Sequence, residues 1–271
     1  MATTSPPPPD GPKTLFVSSV EKAFQVLQAF RVAQRDFGLY DLNLAEISKF
    51  SGLDKSASQR FTNTLVKLGY LDKDIHTRRF RPALALTEFF YTYMVSNRLA
   101  EIAMPRLIEA SRVHQTTVNL CEPMGHEISY TIRVPNQTAS YRTTLPGRRM
   151  PMFCTAAGAV FLAYGTEQEA EEILSATKIR KLTEWTVTDL EQIRQRIEKT
   201  RKDGYCIGVQ QSMPHEISTA APVLDSEGRA IAAVQVPVFV PEWTAESAEE
   251  TIAPLVMKTA RAISGHYASE G

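Results

Sequence analysis

The chain has 271 residues, with 30 Lys or Arg balanced by 30 Asp or Glu and a hydrophobic fraction of 43%, enough for a sizeable core and more naturally divided into two domains than one. No run of 18 apolar residues occurs, so the sequence offers no membrane-spanning helix. Cys121, Cys154 and Cys206 are widely spaced and odd in number; they make neither a disulfide framework nor a CxxC metal pair, and read as buried thiols in a reducing compartment.

Residues 1–12 carry no charged-then-apolar leader pattern, and the run Pro6 to Pro9 reads as an extended, disordered tail on a cytoplasmic protein. From Val17 to Val32, Val20, Phe24, Leu27 and Phe30 form an apolar stripe behind a cap at Ser18 or Ser19. Leu44, Ile47, Ser48 and Phe50 then fall near helical spacing, Ser51-Gly52 breaks the pattern, and Asp54 caps a second helix reaching Leu68. Two short helices joined by a tight Gly turn are a helix-turn-helix.

Plotted at 100° per residue, Ala57, Phe61, Thr64, Leu65 and Leu68 gather on one side of that second helix, which is the expected core face. Lys55, Ser56, Gln59, Thr62 and Asn63 fall opposite, with Arg60 on the flank and Ser58 counted among the candidate contacts. Gln59 and Asn63 stand one turn apart and can pair two-pronged with adenine, while Lys55, Ser56 and Arg60 suit phosphates. A solvated surface helix would show much the same polar face. The following segment argues against that plain reading: Tyr70-Leu71 and Phe80 look like strand ends, and between them and Arg81 stand Lys73, His76, Arg78 and Arg79. Lys55 to Arg81 holds seven Lys or Arg against two Asp, and residues 1–82 carry +4 against −4 for the remainder. Concentrated charge in a neutral chain points to a polyanion partner for one domain.

Leu84 to Val113 is again helical in pattern, with Met104-Pro105 expected to split it into two linker helices. The aromatics Phe89, Phe90, Tyr91 and Tyr93 either meet a second copy of the chain or pack on their own domain. Strand-like runs follow at Thr116 to Cys121, Ile128 to Val134, Ser140 to Thr144, Cys206 to Gln210, Ile217 to Leu224 and Ala230 to Val236. Helical runs separate them at Thr155 to Tyr164, Glu167 to Ala176, Asp189 to Asp203 and Ala245 to His266, and Asp225 to Gly228 reads as a hairpin turn. No internal repeat is found. The pattern implies an open antiparallel sheet with helices on one or both faces.

These segments resemble the IclR family of bacterial transcriptional regulators from about Leu15 to about Ala268. The likeness is carried by Ser19 through Leu27, Ser51-Gly52-Leu53-Asp54-Lys55-Ser56, Gln59-Arg60 and Leu68-Gly69-Tyr70-Leu71. In the second half it is carried by Pro151-Met152, Ala157 through Ala163, Asp203-Gly204-Tyr205, and Ala220 through Asp225 with Gly228. The resemblance implies an α/β (α+β) chain: a winged helix-turn-helix over 13–82, a linker helix over 83–97, and a GAF-like effector-binding domain over 98–271. It also implies double-stranded operator DNA, a small-molecule effector and a second copy of the chain, as dimers or dimers of dimers, as partners, with no membrane, metal or cofactor. Positions matching the family's sensory pocket are Ala139, Arg142, Met150, Ala156, Ala157, Gly208, Glu216, Ser218, Gln235 and Pro237.

The chain departs from the family pattern at several of these positions. Thr155-Ala156-Ala157-Gly158-Ala159 replaces the usual Ser-Gly-x-Gly-Lys run, Ser218 stands where Cys is common, Gln210-Gln211 replaces an acidic pair, and Gln235 and Pro237 replace two serines. Arg78 occupies a frequent turn glycine of the wing. Arg142 among small or apolar groups would pair two-pronged with a carboxylate, favouring an organic acid, aromatic acids included. Alternatively Arg142 faces solvent, and Arg148 or Arg149 supplies the anion contact. An enzymatic reading finds little support: His215-Glu216 lacks a second histidine and adjoins Pro214, and Cys154 has no assignable histidine partner for thiol or hydrolytic chemistry. The expectation is a ligand-controlled DNA-binding regulator of a catabolic operon.

Overall fold

The computed structural model describes residues 15–136 and 145–269. The expected strand at Ser140 to Thr144 therefore lies outside the described residues, as do the tail and positions Ala139 and Arg142. The chain divides into two compact units, the smaller ending at Ser96 and the larger beginning at Asn97.

In the smaller unit, α1 (Ser18–Phe37), α2 (Leu44–Ser51) and α3 (Lys55–Lys67) precede a hairpin of β1 (Leu71–Lys73) and β2 (Phe80–Pro82), and α4 (Leu86–Ser96) closes it. The buried face of α1 is Val26, Ala29, Phe30 and Ala33. The expected stripe is thus corrected: Val20 and Phe24 lie on the far side of the helix and are exposed. The Ser18 or Ser19 cap is corrected too, because Val17 is the N-cap and no side chain caps it. α2 begins at a capping box in which Asn43 and Glu46 satisfy each other's backbone N–H groups, and ends at Gly52, whose φ of 72° suits a residue without Cβ. Asp54 caps α3 by accepting from the Ala57 N–H at 2.8 Å. Leu42, Ile47, Leu65, Leu71 and Phe80 join the α1 face in one core. On α4, Phe89 meets the ring of Tyr70 at 5.6 Å, while Phe90, Tyr91 and Tyr93 remain exposed.

The larger unit is a six-stranded antiparallel sheet in the order β5-β4-β3-β8-β7-β6. Its strands are β3 (Val118–Met124), β4 (Glu127–Val134), β5 (Arg149–Pro151), β6 (Cys206–Val209), β7 (Glu216–Leu224) and β8 (Ala230–Phe239). One face is covered by α5 (Arg98–Val113) and α9 (Ala245–Ser269). The other receives α6 (Ala156–Tyr164), against which α7 (Glu167–Ala176) and α8 (Leu190–Asp203) pack. The break expected at Met104-Pro105 falls instead at Asn97, which caps α5, and Pro105 is carried inside the helix. Pro105 lies on the solvent face, where the carbonyl it leaves unpaired can be hydrated. Leu99, Ala100, Ile102, Ala103, Leu107 and Ala110 away from that face are buried, so packing overrides the proline's penalty.

Candidate functional site

α3 exposes Lys55, Ser56, Gln59, Arg60 and Asn63, so the proposed base-reading pair Gln59 and Asn63 stands free on adjacent turns. Two candidates are corrected. Ser58 and Thr62 are fully buried, and with Phe61 and Leu65 they form the inward face of α3, while Thr64 and Leu68, expected inside, are exposed. The true core face is displaced toward two small hydroxyl residues because the helix packs closely on α1 and α2. Ser58 Oγ reaches the Leu53 carbonyl at 3.5 Å, and Thr62 Oγ1 has no partner among the described residues.

The wing turn is built by Asp74, whose carboxylate accepts from the His76 and Thr77 N–H groups at 2.8 Å each. Those bonds hold its pKa below the ordinary value. Arg78 takes φ of 56° in this turn, the left-handed conformation that a glycine adopts most easily, and its side chain is exposed along with those of His76 and Arg81. Arg79 is a third correction. Its guanidinium donates to Asp41 Oδ1 at 2.5 Å, to the Asp41 carbonyl at 2.8 Å and to Glu46 Oε2 at 2.8 Å. It braces the wing against the start of α2, beside the Leu42–Phe80 backbone pairing, and is not available to phosphate.

In the larger unit, register places one side of the sheet opposite α6. Asn119 pairs with Arg133 and with Gln235, Cys121 with Ala233, and Ser218 with Gly208 and Pro237. Gly208 sits close to the first turn of α6, since a Cβ there would come 3.9 Å from the Ala156 nitrogen. Thr155 caps α6 by accepting from the Gly158 N–H at 3.1 Å, and Gly158 packs so tightly on the Met152 backbone that no Cβ fits. The eight described pocket candidates, Met150, Ala156, Ala157, Gly208, Glu216, Ser218, Gln235 and Pro237, are all buried, with six of them on this face and Ala156 and Ala157 in the first turn of α6. Two were missed by sequence reasoning: Asn119, buried on β3, and Arg133, half-buried on β4. Their alternation with Cys121 and Tyr130 was the available signal, but a bulge opposite Leu120 and Cys121 shifts the phase of β4.

Asn119 Nδ2 donates to Gln235 Oε1, and Gln235 Nε2 donates to Ser218 Oγ at 2.6 Å, giving a polar relay across three strands. Burial pushes the Glu216 carboxyl up to about 7, opposed by the positive charges of Arg148 and Arg133. Arg149 pairs with Glu127 at 2.8 Å, and Arg148 reaches Met213 Sδ at 3.6 Å. Burial raises the Cys154 thiol to about 12, which opposes thiolate chemistry, and His215 is an exposed loop residue.

Residues 19–74 match the model of the IclR helix-turn-helix domain, and residues 91–265 match the bacterial transcriptional regulator IclR C-terminal domain. The Pca regulon regulatory protein of Pseudomonas putida is 28% identical over 247 residues, covering 91% of this chain and 82% of that protein. The p-hydroxybenzoate hydroxylase transcriptional activator of Acinetobacter baylyi is 25% identical over 224 residues, 81% of this chain and 80% of that one. A putative transcriptional regulator from Rhodococcus sp. RHA1 superposes with a TM-score of 0.76 at 26% identity, covering 94% of this chain and 100% of its own. A helix-turn-helix domain followed by an effector domain, matched over most of the chain, places this protein in the IclR family of bacterial transcriptional regulators.

Proposed function

We propose that this regulator reads a near-palindromic operator through Gln59 and Asn63 of α3, and answers to an organic acid, an aromatic acid included, bound on the α6 side of the sheet. Lys55, Ser56, Arg60, His76, Arg78 and Arg81 contact phosphates and set the register of those two amides on the bases. The reading rests on one observation above others: an exposed amide pair one helical turn apart, flanked by exposed cations on α3 and the wing, in an otherwise neutral chain. Paired copies would set two reading helices in successive major grooves.

The similarity to a p-hydroxybenzoate hydroxylase activator supports an aromatic acid and control of a catabolic operon. The buried, high-pKa Cys154 favours a sensor over the rival thiol enzyme. The test is a salt-dependent gel shift on the intergenic DNA beside the gene. Sequence-selective retention that falls steeply with salt is expected; equal retention of random duplex would overturn the reading.

A further inference from the structure

The wing carries an apolar side chain that neither the core of the smaller unit nor the phosphate contacts use. Leu71 and Phe80, at the two ends of the hairpin, are buried, whereas Ile75 at its tip is 80% exposed. The tip around it is firmly built. The Asp74 N–H donates to the Arg79 carbonyl at 2.9 Å, Asp74 Oδ1 accepts from the His76 and Thr77 N–H groups, and the Arg79 N–H reaches Thr77 Oγ1 at 3.4 Å. Isoleucine adds stiffness of its own, because branching at Cβ restricts χ1, so little rotamer freedom is lost when the side chain is buried against a partner. Isolated apolar residues are ordinary on a protein surface. The surroundings of this one are not: His76 and Arg78 beside it and Arg81 on the second strand are exposed basic groups, while Lys73 lies back over the Phe80 ring at 5.4 Å. Side chains suited to phosphates thus stand around a group that has no polar atom to offer one.

We infer that Ile75 enters the minor groove bordering each half-site and selects A·T pairs there by excluding the guanine amino group. This rests on the DNA reading above, in which α3 fills the major groove, and adds to it a second point of sequence choice. Three residues separate the end of α3 from β1, so the wing stays beside the reading helix and its tip falls on the adjoining groove. That groove is only about 6 Å wide and admits the tip side chain, not the ribbon behind it. On its floor A·T and T·A pairs show acceptors alone, while G·C adds the N2 amino donor of guanine. The amino group stands out from the floor, so it both obstructs an aliphatic side chain and loses its water against one without gaining a hydrogen bond. The basic groups around the tip hold it at that depth through the phosphates on either side.

The experiment is a gel shift of the full chain on the operator found in the intergenic DNA beside the gene, with the base pairs bordering each half-site replaced in turn by A·T, G·C and inosine·C pairs. Inosine keeps the major-groove acceptors of guanine and lacks its minor-groove amino group, so it separates the two grooves. The natural chain is expected to bind A·T and inosine·C borders about five-fold or more tightly than G·C borders at one or more positions. Ile75→Ala should shrink that ratio to about two-fold or less, and Ile75→Leu should keep most of it. Neither variant should move the melting curve, because the side chain is exposed, or the salt slope, because no phosphate contact is lost. Inosine·C borders that behave like G·C borders would place the discrimination in the major groove and overturn the assignment. A preference that survives Ile75→Ala unchanged, or no preference in the natural chain, overturns it equally; in each of these cases selective operator binding persists and the reading by α3 stands. If no intergenic duplex is held more tightly than random DNA, both fall together.

Discussion

Glu216 carries the clearest pH consequence of any single residue in the chain. Its carboxyl titrates near 7 when folded against 4.5 for the free group, with burial as the main cause and Arg148 and Arg133 as partial compensation. Below pH 4.5 both states hold the proton and nothing is lost. As pH rises toward 7 the unfolded chain ionises while the folded one does not, so stability falls across this window by about 3 kcal/mol at most and is flat above it. In Glu216→Gln that loss is absent. Urea unfolding should therefore show the variant gaining on the natural chain from pH 5 to pH 8; a constant gap would show that the carboxyl is compensated in the fold. Gly158 is the second residue with a sharp consequence. A Cβ there would overlap the Met152 backbone, which cannot swing aside like a side chain, so Gly158→Ala should destabilise the larger unit by about 3 kcal/mol, measurable as a lowered melting temperature.

At the scale of elements, the helix-turn-helix and the wing are separable in the residues that hold them. Arg79 ties the wing to Asp41 and to the capping-box Glu46, and its side chain is 27% exposed, so solvent weakens the pair but does not remove it. Arg79→Ala should lower the stability of the smaller unit by about 1–2 kcal/mol. Operator affinity should then fall with little change in its salt dependence. Arg78→Ala should do the reverse, leaving the melting curve alone while flattening the log-log salt slope by about 0.9. Gln59→Ala should relax base choice at one operator position, read by selection from a randomised site. If the Arg78 and Arg79 variants lost the same number of released ions, the division between contact and brace would be wrong. The same scale explains α5: six buried residues outweigh one solvent-facing proline, which is why the helix runs through Pro105 and the chain breaks at Asn97 instead.

For the whole molecule, regulation requires that the effector bind unequally to the operator-bound and free forms, and linkage makes the effect reciprocal. Titration of the effector into the protein with and without saturating operator should give dissociation constants differing by about 5-fold or more. Equal constants would show that the two domains bind independently. Most of the architecture behind this was legible in advance. The helices at Glu167–Ala176 and Asp189–Asp203, the hairpin at Asp225 to Gly228 and five of the six strands among the described residues of the larger unit were visible because long periodic runs and turn residues declare themselves locally. The three-residue β5 was not, since Arg149–Pro151 has too few residues to show a period and is a strand only by pairing with β4.

Sequence periodicity, caps and ordered motifs determined that this chain holds a DNA-reading helix pair with a basic wing and a sheet-based sensor, because those signals are written in neighbouring residues. Tertiary structure alone decided which groups are spent and which are free. Ser58 and Thr62 turn inward because α1 and α2 close over them, and Arg79 is consumed by acids 38 and 33 positions earlier in the chain. Arg133, Asn119 and Glu216 share one face only through strand register between segments far apart in sequence. Burial and pairing depend on what lies across space, and no local pattern of residues encodes that.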